Sequence, residues 1–191
     1  GTAGVPEPSR DAEGWPGRSG RCTVQIHNAR PLIRELSLDR QGFVLVGDET
    51  GVANFYDERE VRAVYYPEIE RLVKEATGAI KTVVFAHDVR SIPKARAGEK
   101  GVREPVAPVH NDYTNKSGPE HVRDLLDADE AEERLKHRFA EINVWRPIRG
   151  PVRNTPLAVC DSRSIAQSDL VPTDLKHEIR SEERRVGKEC I

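Results

Sequence analysis

Val109-His110-Asn111-Asp112-Tyr113-Thr114 is the stretch on which the reading of this chain turns. It follows a loop-like region from Ser91 to Pro108, punctuated by Pro93, Gly98, Gly101, Pro105 and Pro108. It reads as a short strand or strand end. His110 and Asp112 stand at i and i+2. On an extended backbone those two side chains leave the same face, roughly 7 Å apart along the strand. An imidazole nitrogen and a carboxylate oxygen so placed reach one metal ion, which makes His110 and Asp112 the candidate metal ligands and catalytic pair. A second His from elsewhere would complete a 2-His-1-carboxylate set, which leaves coordination positions free for other reactants. The chain has six histidines, so chance alone supplies such a spacing often enough that the pair does not decide the matter by itself.

Outward from this stretch the pattern mixes helices and strands. Ser117 to Arg138 predicts a helix, with Ser117 as cap and Val122, Leu125 and Leu126 on one face, extended by Ala131 and Leu135. Phe139 to Trp145 and Pro156 to Cys160 read as strands. Upstream, Cys22 to His27, Phe43 to Val46 and Thr82 to His87 carry strand alternation or β-branched runs. Asp57 is placed to cap a helix, with Glu60 completing a capping box. Pro67 divides that helix from a second one carrying Ile69, Leu72, Val73 and Ala76, which Gly78 closes. The expected class is α+β with a mainly antiparallel sheet.

At 191 residues the chain has the length of one domain. Its formal net charge is -2, with basic residues scattered among acidic ones, so nucleic acid is not an expected partner. No apolar run is long enough to span a membrane and no signal peptide opens the chain, so a cytoplasmic location is expected. Cys22, Cys160 and Cys190 are far apart and form neither a disulfide framework nor a zinc motif. No Gly-rich phosphate loop or Gly-x-Ser-x-Gly elbow occurs. The absence of Met leads us to expect a reading frame that starts upstream of Gly1. Residues 1–20, rich in Gly, Pro, Ser and charge, are expected to be a flexible lead.

Several ordered blocks together resemble one oxygenase family. They are Val109 to Thr114, Ser117-Gly118-Pro119, Val122-Arg123-Asp124-Leu125-Leu126 and Arg138-Phe139. They continue with Ile142-Asn143-Val144-Trp145-Arg146-Pro147-Ile148, Gly150-Pro151-Val152 and Pro156-Leu157-Ala158-Val159-Cys160-Asp161. Phe55-Tyr56-Asp57 and Val64-Tyr65-Tyr66-Pro67 agree as well. The family is the non-haem iron oxygenases that include the cephamycin 7-hydroxylase component and the fungal gibberellin desaturase. The resemblance covers residues 22 to 179, so 21–179 is expected to be the N-terminal part of a single oxygenase domain. It implies a double-stranded β-helix (jelly-roll) core, Fe(II) and 2-oxoglutarate as cofactors, dioxygen as a reactant and hydroxylation or desaturation of a small molecule. It also implies His110 and Asp112 as ligands, with the distal His and the basic residue that grips 2-oxoglutarate further toward the C-terminus.

From the residues themselves, Asn143 and Trp145 share a strand face, so Asn143 is a candidate donor to a cosubstrate carboxylate and Trp145 a pocket wall. Arg146 is a candidate anion ligand or an ordinary ion-pair partner. Tyr113 and Thr114 are candidates to orient Asp112. His87 and Arg90 end their strand and read as a solvated strand end, with a place at the pocket border as the alternative, and His121 and His137 read as solvated. Arg180-Ser181-Glu182-Glu183-Arg184-Arg185-Val186-Gly187-Lys188-Glu189-Cys190 looks like an in-frame translation of a sequencing adapter, so 180–191 is expected to be an artefactual tail. A fragment ending so is expected to hold iron poorly and not to turn over. A non-catalytic accessory or binding subunit of the same fold, and a metal-dependent hydrolase built on His110 and Asp112, are the competing readings. Substrate identity and oligomeric state are not legible.

Overall fold

Asp57 starts the longest helical run, and its side chain shows why. Its Oδ1 accepts the backbone N–H groups of Arg59 at 2.9 Å and Glu60 at 3.4 Å, which caps α1 (Glu58–Glu60). Glu60 does not close the expected capping box. Its carboxylate instead accepts from the amides of Ala53 at 2.6 Å and Asn54 at 3.1 Å, pinning the incoming loop. The structure is a computed structural model that describes residues 24–107, 109–176 and 181–187. The expected lead over residues 1–20 lies outside them.

Pro67 does not divide the helix. A wide π-turn over Val61–Tyr65 joins α1 to α2 (Tyr66–Thr77) without a break. Proline offers no N–H and its ring excludes the carbonyl four residues back; a wider turn at this point takes up that mismatch. Gly78 closes α2 at φ 72°, a left-handed conformation that glycine reaches without a Cβ clash, and its N–H donates to Lys74 O at 2.8 Å. Val61, Ile69 and Val73 are buried along this run together with Val52.

The region from Ser91 to Pro108 is less irregular than its composition suggests. β1 (Val89–Arg90) pairs in parallel with β2 (Val102–Arg103), and α3 (Ile92–Arg96), with Pro93 in its first turn, fills the connection. The helix expected over residues 117 to 138 is two helices, α4 (Ser117–Leu125) and α5 (Ala128–Leu135). Leu126 is extended at φ -119° and ψ 158°. Asp129 and Glu130 then populate a new first turn, where negative charge meets the positive end of the helix dipole.

A three-stranded antiparallel sheet has the order β3 (His110–Asn111), β5 (Ser181–Gly187), β4 (Leu170–Lys176). Its register places His110 opposite Val186. β5 falls within the tail that the sequence sets apart and forms the sheet's central strand. The strands expected over residues 43–46, 82–87, 139–145 and 156–160, and the described part of 22–27, have no ladder partners among the described residues. Alternation of side chains sets which face is apolar, but a strand also needs a neighbouring chain for its N–H and C=O groups. Phe85, Phe139, Ile142, Trp145, Leu157 and Val159 remain 37% to 53% exposed, as on a sheet face with no second layer above it.

Val61 is 1% exposed at the centre of the helical run. Val61→Ala is expected to cost about 2 kcal/mol in urea unfolding, whereas Ile80→Ala is expected to change stability by less than about 0.5 kcal/mol. Ile80 is 85% exposed. Equal effects at the two positions would contradict this core.

Candidate metal centre

β3 ends at Asn111, and the chain bends so that the side chains on either side of it converge. His110 Nε2 lies 3.5 Å from Asp112 Oδ1, and both side chains are partly buried. Two donors on adjacent positions around a small divalent ion sit roughly 3 Å apart when each bond is about 2.1 Å. The pair therefore fits one ion with little movement. Among the described residues no third His, Cys, Asp or Glu joins it in a metal-binding group. The donor set, one imidazole and one carboxylate, suits a divalent transition metal.

The bend is held from its far side. Thr114 N–H donates to Ser117 Oγ at 2.9 Å, and Thr114 Oγ1 accepts from the amides of Lys116 at 3.1 Å and Ser117 at 3.0 Å. The Thr114 side chain thus satisfies orphan donors at the start of α4, a role expected of Ser117. Thr114 is buried, so this knot of hydrogen bonds fixes the exit of the strand two residues beyond Asp112.

Residues 110–115 and 139–143 face each other across a cleft of about 560 Å³, with Phe85, Gly118 and Pro119 completing its walls. His110, Asp112, Tyr113 and Asn143 all line it. Asn143 Nδ2 donates to Asp112 Oδ2 at 2.7 Å. Trp145 and Arg146 do not line the cleft. Trp145 is 48% exposed. The Arg146 guanidinium lies 5.9 Å from the Phe55 ring and 5.7 Å from the Tyr65 ring, and its Nη2 donates to Asp48 O at 3.3 Å. Arg146 thereby ties the end of the cleft segment to the π-turn.

His121, expected to be solvated, is enclosed instead by side chains that line the cleft. Its ring stacks on Tyr113 at 4.7 Å and meets Phe85 edge-on at 4.5 Å, while its Nδ1 lies 3.4 Å from Glu141 Oε1. Glu141 was not singled out by the sequence reading, although the period-2 argument that paired Asn143 with Trp145 reaches it two residues earlier. Burial pushes the Glu141 carboxyl above its ordinary range; His121 pulls it down and Asp112 pushes it up. Its Oε2 is buried without a hydrogen-bond partner. His87 is also not a solvated strand end. Its Nδ1 meets Tyr66 Oη at 3.0 Å and its Nε2 lies 3.3 Å from Glu58 Oε2. His137 stays exposed, as expected.

A family model described as an oxidoreductase/YMDC permease-like domain matches residues 6–189. The hydroxylase/desaturase efuI of Hormonema carpetanum is 38% identical over 159 residues, covering 77% of this chain and 52% of that protein. The chain belongs to the non-haem iron oxygenase family. The Fe(II)/2-oxoglutarate-dependent dioxygenase nvfI of Aspergillus novofumigatus is 34% identical over 167 residues, 84% of this chain and 57% of its own length. The solved structure of the iron and alpha-ketoglutarate-dependent endoperoxidase NvfI superposes with a TM-score of 0.76 at 28% identity, over 86% of this chain and 62% of that one. The chain spans about half the length of the curated relatives it matches. No helix among its described residues is long and apolar enough to cross a membrane.

Glu141 sets a pH dependence for this oxygenase-family cleft. A carboxyl whose pKa is higher in the folded state stabilises the fold below its unfolded pKa and loses that contribution as pH rises through the raised value. Glu141→Gln escapes the loss. Its urea midpoint relative to the unsubstituted protein is expected to rise between about pH 4 and about pH 7. A difference that stays flat or falls over that range would contradict the burial of Glu141.

Proposed function

We propose that this chain carries the first two iron ligands, His110 and Asp112, of an Fe(II)/2-oxoglutarate-dependent oxygenase that hydroxylates or desaturates a small molecule. The observation that carries the reading is the 3.5 Å approach of His110 Nε2 to Asp112 Oδ1 inside a walled cleft. Kinship with dioxygenases and hydroxylase/desaturases supports the reaction class. The jelly-roll core is the fold we assign to the whole oxygenase, on its likeness to the NvfI structure.

When bound, Fe(II) would activate dioxygen, which is the oxidant, with 2-oxoglutarate as the co-oxidised electron donor, for oxidation of an unactivated C–H bond. The residues of this chain bind and orient. His110 presents Nε2, which must be unprotonated to serve as a ligand. Asp112 contributes one negative charge, which leaves the divalent ion a net positive charge to attract an anionic cosubstrate. Tyr113 flanks the pair on the cleft wall, where it is placed to meet the cosubstrate, whereas the Asn143 amide, the other expected cosubstrate contact, donates to Asp112 instead. Phe85 and Phe139 give the cleft apolar surface that limits water around the reacting centre and suits a lipophilic substrate. Trp145 and Arg146 follow directly on the wall segment, and we assign Arg146 to holding that segment in place.

His110→Ala and Asp112→Ala are each expected to weaken anaerobic Fe(II) binding by at least about tenfold, measured by equilibrium dialysis. Unchanged affinity in either variant would remove that residue from the site.

A further inference from the structure

We propose that Asn143 is a positioning residue for the metal: its amide holds the outer oxygen of Asp112 so that the carboxylate meets the ion through one oxygen only. The inference rests on the reading above that His110 and Asp112 are ligands. The two oxygens of Asp112 have different neighbours. Oδ1 lies 3.5 Å from His110 Nε2, and Oδ2 accepts the Asn143 amide at 2.7 Å. A carboxylate that chelates through both oxygens takes up an additional coordination position. In a site with one imidazole and one carboxylate on this strand, that position is one that a cosubstrate or dioxygen needs. An amide N–H on Oδ2 opposes chelation, because turning that oxygen to the metal breaks a short hydrogen bond to a charged acceptor.

The donor comes from a distant part of the chain. Asn143 lies 31 residues beyond Asp112, so the contact is set by the fold and not by a local turn. Its segment is held at its end by Arg146, through the Asp48 carbonyl and the rings of Phe55 and Tyr65. The neutrality of the amide matters too. Glu141 already lies within electrostatic reach of Asp112. A second carboxylate at position 143 would put two negative oxygens at hydrogen-bond distance, where repulsion is strong and the lone pairs have no proton between them.

Binding of Mn(II) alone to the 191-residue chain, followed by loss of the free Mn(II) signal in electron paramagnetic resonance, tests the proposal. Asn143→Ala is expected to lower Mn(II) affinity about tenfold, with far-UV circular dichroism unchanged. If the unsubstituted chain binds Mn(II) and Asn143→Ala binds it within about twofold, the positioning role is wrong while the ligand pair stands. If Asn143→Ala keeps its Mn(II) affinity but loses 2-oxoglutarate affinity, Asn143 is a cosubstrate contact and the proposal is again wrong. If the unsubstituted chain takes up no Mn(II), the ligand reading falls and this one with it. Should the variant not fold, the infrared difference spectrum of the unsubstituted chain on Mn(II) addition decides. Widely split carboxylate stretches mark one-oxygen binding and support the proposal; narrowly split stretches mark chelation and overturn it.

Discussion

Two donors separated by a single residue converge only while the backbone between them holds its shape, and that constraint organises the rest of the chain. β3 gives His110 a ladder partner on one side of the pair. On the other side the hydrogen bonds between Thr114 and Ser117 fix where the strand ends and α4 begins. The ring of Tyr113, directly after Asp112, stacks on His121 of α4, so the helix carries the strand exit as a rigid unit. A bend of this kind would otherwise be one of the softest parts of the molecule, because few backbone bonds restrain it.

The opposite wall obeys the same logic from a greater distance in sequence. Residues 139–146 have no ladder partners among the described residues, yet three side chains lock the segment in place. Glu141 meets His121, Asn143 meets Asp112, and Arg146 is held among Phe55, Tyr65 and Asp48. The π-turn that accommodates Pro67 also supplies the Tyr65 ring for that clamp. A local mismatch in the helix and the anchoring of the cleft wall thus share a structural element.

What the sequence disclosed and what it hid follow a physical division. Asp57, Gly78 and the buried face of Val61, Ile69 and Val73 depend on contacts within one or two helical turns, and the pattern reveals them. Glu60 and Ser117 do not take the capping roles expected of them, because several backbone donors lie within reach of one side chain. The break at Leu126 depends on a competition between one long helix and two dipole-favoured short ones, which periodicity does not resolve. Strand partners, and the enclosure of His87 and His121, arise between segments far apart in the chain. Both histidines look solvated on their own elements and are enclosed only when Tyr66, Phe85 and Tyr113 close around them. The approach of His110 to Asp112 is legible because its geometry is local, and their role as ligands is our proposal.

Kinship places the chain among iron oxygenases, and in our proposal His110 and Asp112 turn that kinship into chemistry. The central claim is that one ion sits between His110 Nε2 and Asp112 Oδ1. The most direct measurement is anomalous diffraction at the iron edge from crystals of the chain soaked anaerobically with Fe(II). The account predicts a single iron peak within bonding distance of both atoms. A peak bound elsewhere, or iron held by neither side chain at saturating concentration, would contradict it.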